Sequence, residues 1–194
     1  MRLHRLFLRL SQAMALAGGA MLLALVLLTC LSILGRELNE VLQSDLLGGT
    51  AAARWLVRDV GVGAIAGDFE LLEAGMAFTI FAFLPLTQIT AGHAVVDLFA
   101  DRLPEGARRW LMALIEAVFA AVLILIAAQL WSGMVSKLAS GQVTLRLQFP
   151  VWWAYALAVA PAILAAIVGV WCALVRIHEA RTGANVLEAA GAEH

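Results

Sequence analysis

Four stretches of this chain contain no Asp, Glu, Lys or Arg, and each is at least 20 residues long: 10–35, 74–96, 117–136 and 147–175. A helix rises about 1.5 Å per residue, so roughly 20 residues cross the ~30 Å hydrocarbon core of a bilayer. The longest other uncharged run has eight residues. The sequence therefore predicts an all-α integral membrane protein with four transmembrane helices.

The composition agrees with a single membrane domain, because only 14% of the 194 residues are charged and soluble domains average about 25%. We predict one four-helix domain over residues 1–182, with spans at about 10–35, 70–92, 110–134 and 149–175, and a disordered tail over 183–194. The first apolar run has 26 residues, more than the roughly 7–15 of a signal-peptide core, so we treat it as a retained span.

Basic residues are distributed unevenly about the predicted spans. Eight Lys or Arg side chains lie on the side of the N-terminus and five lie on the other side. Because cytoplasmic loops carry an excess of Lys and Arg, this count predicts that both termini are cytoplasmic. The chain has no lysine-rich patch, so we expect no nucleic-acid partner.

The first ten residues have an amphipathic helical pattern. Apolar side chains recur at i, i+3, i+4 and i+7, and arginines occupy the other face: Leu3, Leu6, Phe7 and Leu10 against Arg2, Arg5 and Arg9. The pattern predicts an N-terminal interfacial helix among lipid headgroups, followed by a turn into the first span. The alternative is that the first transmembrane helix simply continues into water.

Three charged residues stand together at the outer ends of the first two spans. Glu70 and Glu73 are three residues apart near the start of the second span, and Arg36 ends the first. We expect Arg36 to pair with one of these carboxylates, although all three side chains reaching water is an equal alternative. A proton or cation relay through the two carboxylates is disfavoured.

Glu116 lies six residues after Trp110, about 9 Å into the third span. A charge at the bilayer centre costs roughly 2.5–3.5 kcal/mol on insertion scales. We therefore expect the Glu116 carboxyl group either to reach the cytoplasmic interface or to meet a cation or polar group on another helix, in this chain or in a partner.

His93 and Asp97 are four residues apart at the cytoplasmic end of the second span. Two ligands are too few for a metal site. A haem would need two histidines on facing helices, and His178 is the second candidate, but a capping or interface role for His93 is the preferred interpretation. The sequence has no Gly-rich phosphate loop, nucleophile elbow or Cys-x-x-Cys motif, so we predict neither enzymatic activity nor a cofactor.

Aromatic residues gather near the predicted span ends, as in the interfacial belts of membrane proteins. Trp152 and Tyr155 stand at the start of the fourth span, and Pro150 suits its first turn, where a missing N–H costs nothing. Farther along this span, small residues recur every fourth position, a spacing that suits close helix packing. These residues are Ala154, Ala158, Ala162 and Ala166.

Together these features resemble the small membrane subunit of tripartite ATP-independent periplasmic (TRAP) transporters. The resemblance covers nearly the whole chain, with four spans in the family's order. It is carried by Leu34-Gly35-Arg36, the segment from Glu70 to Gly92-His93-Ala94-Val95-Val96-Asp97, Leu103-Pro104, the segment from Ser140 to Thr144, Phe149-Pro150-Val151-Trp152, Tyr155 and Pro161.

The resemblance implies a sodium-driven secondary transporter in the bacterial cytoplasmic (inner) membrane. In such a system a periplasmic binding protein delivers an organic acid to a large membrane subunit that works as an elevator. The small subunit would be a static scaffold beside the large one, embedded among membrane lipids, with the substrate and sodium sites elsewhere. Two other interpretations stay open: a small haem-bearing electron-transfer subunit, and a self-assembling four-helix exporter that relies on Glu116 or the Glu70–Glu73 pair.

Overall fold

A computed structural model of the chain describes residues 2–44, 50–58, 61–90 and 104–183. Within these residues the chain forms five helices: α1 (Arg2–Gln43), α2 (Ala51–Arg58), α3 (Asp68–Ile89), α4 (Glu105–Ser140) and α5 (Trp152–Thr182). All of them except the short α2 are long and apolar enough to cross a membrane. This confirms the all-α fold with four candidate transmembrane helices.

The four long helices form an open row in the order α1, α3, α5, α4, with contacts chiefly between neighbours in that row. In chain order, each long helix runs opposite to the one before it, as the contacts of Gly18 with Ala82 and of Gly133 with Tyr155 show. Arg2 and Gly183 therefore lie at the same end, here named the terminal side. The other end, where residues 141–151 connect α4 to α5, is named the hairpin side. Because α5 lies between α3 and α4, 56% of the residues in its most apolar 18-residue segment are buried. In the other three long helices this share is 22% or less.

Alanine-rich contacts bring α5 close to its neighbours. Ala162 and Ala166 are buried in a cluster with Leu123 and Ala127 of α4. Small side chains let helix backbones approach closely where lipid provides no hydrophobic driving force for association. The four-residue alanine spacing predicted from the sequence therefore falls on a packing face, with Ala154 half-buried at its outer end.

The predicted turn between an interfacial helix and the first span is wrong. Helix α1 runs without interruption for 42 residues, about 63 Å at 1.5 Å per residue. The sequence places no Gly or Pro near Leu10 to interrupt the helix. Moreover, Phe7 and Leu8 pack against a buried cluster of Ile89, Val168 and Cys172 from α3 and α5, and the Phe7 ring centroid lies 5.7 Å from that of Trp171 in α5. These contacts hold the first two turns in line with the rest of α1.

The long helices extend past most of the predicted span limits, because charged residues end the hydrocarbon segment without ending the helix. Helix α3 is an exception: it ends at Ile89, and residues 91 and 92 of its predicted span lie outside the described residues. The predicted tail also lies outside them from residue 184 onward. Helix α2 contacts α1 and leaves its Trp55 side chain more than half exposed.

Candidate functional site

On the hairpin side, the Asp68 carboxylate joins α1 to the start of α3. Ser32 of α1 donates its hydroxyl hydrogen bond to Asp68 and accepts one from the Ile65 backbone N–H at 3.2 Å. The other Asp68 oxygen accepts the Phe69 N–H at 2.8 Å. Arg36 adds an ion pair, with its Nη2 atom 3.9 Å from the oxygen that Ser32 also bonds.

The predicted partner of Arg36 is therefore wrong, because Arg36 pairs with Asp68 instead of Glu70 or Glu73. Asp68 is the first residue of α3 and lies level with Ser32, one turn before Arg36. The guanidinium remains about half exposed, so solvent screens most of this attraction. The Ser32 hydrogen bond is the stronger link between the two helices.

A backbone contact reinforces the same junction. A Cβ atom added to Gly35 would overlap the carbonyl oxygen of Gly63 in the loop that precedes α3. Only a hydrogen atom fits between helix and loop at this point. Within Leu34-Gly35-Arg36, the glycine therefore allows α1 to approach the loop closely.

The Glu70 carboxylate binds the connection between α4 and α5. Its two oxygens accept the backbone N–H groups of Arg146 at 2.6 Å and Leu147 at 2.9 Å. Within the connection, the Thr144 N–H donates to the Phe149 carbonyl at 2.8 Å, and the Val151 N–H donates to the Gln142 carbonyl at 3.0 Å. Residues 141–151 thus form a compact hairpin. The backbone N–H groups at its turn donate hydrogen bonds to a carboxylate of α3.

Leu147 packs on the backbone just before α3. Gly67 adopts a left-handed conformation with φ of 79°, and an added Cβ would overlap the Leu147 side chain. Both conditions favour glycine at this position. The hairpin is therefore held on α3 by two polar contacts through Glu70 and by one apolar contact through Leu147.

A largely apolar groove of about 790 Å³ lies on the hairpin side, next to two further residues singled out from the sequence. Glu73 and Tyr155 line it, between walls from α1 and α5. Tyr155 packs so closely on α4 that a Cβ at Gly133 would lie 2.7 Å from its ring. Glu73 is exposed at the groove's edge.

Pro150 lies before α5, whose first residue is Trp152, instead of within the first helical turn as predicted. The isolated pairing of Val143 with Pro150 closes the hairpin, and α5 therefore begins only after Pro150. The Pro150 carbonyl nevertheless accepts the Trp153 N–H at 3.1 Å, so the proline stands at the helix entrance. The Trp152 ring stacks on Trp153 with centroids 4.9 Å apart.

On the terminal side, Glu116 of α4 meets a polar group of another helix in the same chain, which was one of its predicted outcomes. The Gln88 side-chain amide of α3 donates a hydrogen bond to the Glu116 carboxylate. Cys172 of α5 donates its thiol to the Gln88 carbonyl at 3.7 Å. The three helices are therefore joined by polar contacts at this depth.

Two important residues, Asp68 and Gln88, were missed from the sequence. The sequence analysis assigned a role to neither residue. The available signal for Gln88 was a side-chain amide within the uncharged stretch 74–96. A polar side chain in hydrocarbon needs a partner, and Glu116 was the acidic residue farthest inside a predicted span.

His93 and Asp97 lie outside the described residues, so their predicted capping or interface role remains a prediction. His178 is exposed in the last turns of α5. Among the described residues, no group of three His, Cys, Asp or Glu side chains is arranged to hold a metal ion. The contacts that the structure does describe join helices and loops to one another.

Comparison with known proteins assigns the chain to a family. A family model, "Tripartite ATP-independent periplasmic transporters, DctQ component", matches residues 25–179. Searches of curated proteins and of solved structures found no match. The matched segment includes the Asp68 and Glu70 contacts, the hairpin and the Gln88–Glu116 pair. Because it makes up well over half of the chain, the protein belongs to the DctQ family, the small membrane component of TRAP transporters.

Proposed function

We propose that this chain is a static scaffold for the large membrane subunit of a TRAP transporter. The observation that carries the proposal is the double contact at the start of α3. Asp68 ties α1 to α3, and Glu70 ties the α4–α5 hairpin to the same turn. A row of helices joined in this way at one end suits a part that keeps its shape while a partner moves.

The finer parts of the proposal follow the family resemblance. The complete system takes up an organic acid with sodium, and a periplasmic binding protein delivers the acid to the large subunit. Both termini of this chain are cytoplasmic, as the eight-to-five distribution of Lys and Arg favours, and the membrane is the bacterial inner membrane. The hairpin side then faces the periplasm.

The polar residues within the spans on the terminal side support a structural role. Glu116 of α4 accepts a hydrogen bond from Gln88 of α3 in this chain. A carboxylate that carried a proton or sodium ion across the membrane would have to exchange this partner during each cycle. A fixed hydrogen bond between helices is the simpler use of such a pair.

Transport by the reconstituted complex tests this proposal. The acid to be used is the one that most raises the Tm of the purified binding protein, since binding stabilises the native state. Proteoliposomes containing this chain, the large subunit and the binding protein should take up the labelled acid when a sodium gradient is imposed. Liposomes with this chain alone should show no uptake. Uptake by the chain alone would contradict the proposal.

A further inference from the structure

An exposed apolar stripe runs along α1 on the side turned away from α3. We call it the outer stripe; all its members are more than half exposed. It consists of Leu27, Leu31, Leu34, Leu38 and Val41. The opposite side of the same helix is the one that packs inside the chain, through Gly18, Leu25 and Ser32.

The outer stripe crosses the boundary of the bilayer. Charged residues return to α1 at Arg36 and Glu37, level with the start of α3, so the hydrocarbon ends near this turn. At 1.5 Å per residue, Leu38 and Val41 lie about 3 and 7.5 Å beyond Arg36 along the helix axis. The stripe therefore continues from hydrocarbon into the headgroup region.

This continuity identifies the kind of surface that covers the stripe. Lipid chains cover Leu27 and Leu31 but cannot cover the part beyond Arg36. A water-soluble protein covers Leu38 and Val41 but does not reach into the hydrocarbon. A neighbouring transmembrane helix that also extends beyond the membrane covers the whole stripe.

The spacing and the flanking charge agree with a helix partner. The five residues are separated by four, three, four and three positions, the heptad spacing of two helices that pack side by side at a small crossing angle. Exposed Glu37 is three residues from Leu34 and four from Val41, so it borders the stripe on the helix surface. A basic residue on the partner would complement it at the membrane boundary.

We propose that the outer stripe docks a transmembrane helix of the large TRAP subunit. The apolar face of that helix extends past the edge of the bilayer on the hairpin side, and the helix carries an Arg or Lys opposite Glu37. This inference rests on the proposed function, since it names the face by which the scaffold holds its partner. It adds a specific surface and a charge of known sign to that role.

Matched substitutions outside the hydrocarbon test the docking face without disturbing membrane insertion. Leu38→Glu places a charge on the stripe, and Leu138→Glu places the same charge near the outer end of α4; the two leucines are 52% and 53% exposed. The full chain is co-expressed with an affinity-tagged large subunit, and the amount of chain retained on the tag is measured. Burying an unpaired charge should reduce retention of Leu38→Glu about tenfold or more, and Leu138→Glu should be retained like the wild type. Equal amounts of both variants in the membrane fraction exclude a loss of insertion, and equal midpoints of SDS-induced unfolding exclude a folding defect.

Site-specific photo-cross-linking provides the second measurement. A benzoylphenylalanine at position 34 or 38 should cross-link to the large subunit, and one at position 138 should not. Cross-links from the stripe to a second copy of this chain, to the binding protein or to phospholipid alone would overturn the docking proposal. If the wild-type chain is not retained by the large subunit at all, the proposed function itself fails. If it is retained while Leu38→Glu binds as well as Leu138→Glu, only the docking face is wrong.

Discussion

The hairpin side and the terminal side of this protein are held together differently. On the hairpin side, the Asp68 and Glu70 carboxylates each accept hydrogen bonds from a loop or helix other than their own, including backbone N–H groups. On the terminal side, the helices meet through side chains such as Gln88 and Glu116. Three buried atoms there have no hydrogen-bond partner within the described part of the chain. They are Ser11 Oγ, Trp171 Nε1 and Arg176 Nε.

This difference indicates which end fixes the helix row. Carboxylates that accept backbone N–H groups satisfy donors that the turns leave open, as Glu70 does for the α4–α5 hairpin. The hairpin side should therefore be the more stable and less mobile end. Substitutions at the two ends, ordered below from the largest expected effect to the smallest, test this expectation.

The largest effect should follow from adding one methyl group at Gly35. Gly35→Ala places a Cβ against the Gly63 carbonyl oxygen and forces the α1–loop contact apart, so we expect a loss of about 2–3 kcal/mol in unfolding free energy. The matched control is Gly19→Ala in the same helix, where an added Cβ meets nothing within 4 Å. SDS-induced unfolding followed by circular dichroism measures both. Equal stability of the two variants would remove the backbone contact from the account.

The next largest effect should come from releasing the hairpin. In Glu70→Ala the N–H groups of Arg146 and Leu147 lose their shared acceptor, so their hydrogen exchange should accelerate roughly tenfold. The control is Glu105→Ala, because Glu105 is exposed at the opposite end and its ion pair, with Arg109 of the same helix, is 3.7 Å long. Mass spectrometry of peptides that cover residues 141–151 reports the rate. Unchanged exchange in Glu70→Ala would show that the hairpin holds itself.

A smaller effect is expected on the terminal side. Gln88→Leu removes one hydrogen bond from Glu116 and should lower the unfolding free energy by about 1–2 kcal/mol. The double substitution Gln88→Leu/Glu116→Leu should cost less than the sum of the two single substitutions, because the hydrogen bond between them is lost only once. A double-mutant cycle on SDS unfolding measures the coupling. Simple additivity of the two single substitutions would contradict a direct Gln88–Glu116 contact.

The smallest effect should follow from Arg36→Ala. Its guanidinium is 51% exposed and its ion pair with Asp68 is 3.9 Å long, so water and salt screen the attraction. We expect an unfolding midpoint within error of the wild type, whereas Ser32→Ala should lower it clearly. If Arg36→Ala proved the more damaging of the two, the ion pair rather than the Ser32 hydrogen bond would join α1 to α3.

The sequence predicts the number of candidate transmembrane helices correctly and their contacts poorly, for a physical reason. A stretch of 20 or more residues without charge is what a helix in hydrocarbon requires, so the number of spans follows from where the charged residues lie along the chain. The partner of Arg36 depends on the axial position of α1 relative to α3. Three carboxylates within six residues (Asp68, Glu70 and Glu73) are possible partners. Glu70 binds backbone N–H groups, which no side-chain pattern encodes.

Two further differences have the same origin. The interfacial helix was predicted with a turn before the first span, but contacts of Phe7 with a distant helix keep α1 in one piece. Pro150 was assigned to a helical turn, but its pairing with Val143 across the hairpin keeps it outside α5. In both regions a tertiary contact decides between local structures that the sequence alone allows.

The central claim is that this subunit keeps a fixed shape during transport, and a cross-link between α1 and α3 tests it most directly. A Cβ at Gly75 would lie 3.2 Å from Leu25 Cγ, the position that the sulfur of a cysteine at residue 25 would take, so a disulfide between cysteines at these two positions is within reach. Leu25→Cys/Gly75→Cys should be assembled with the large subunit and the binding protein in proteoliposomes and then oxidised. The account predicts that sodium-driven uptake continues at the rate of the reduced complex. Loss of uptake on oxidation, reversed by a reductant, would show that α1 and α3 must move relative to each other and would contradict the static scaffold.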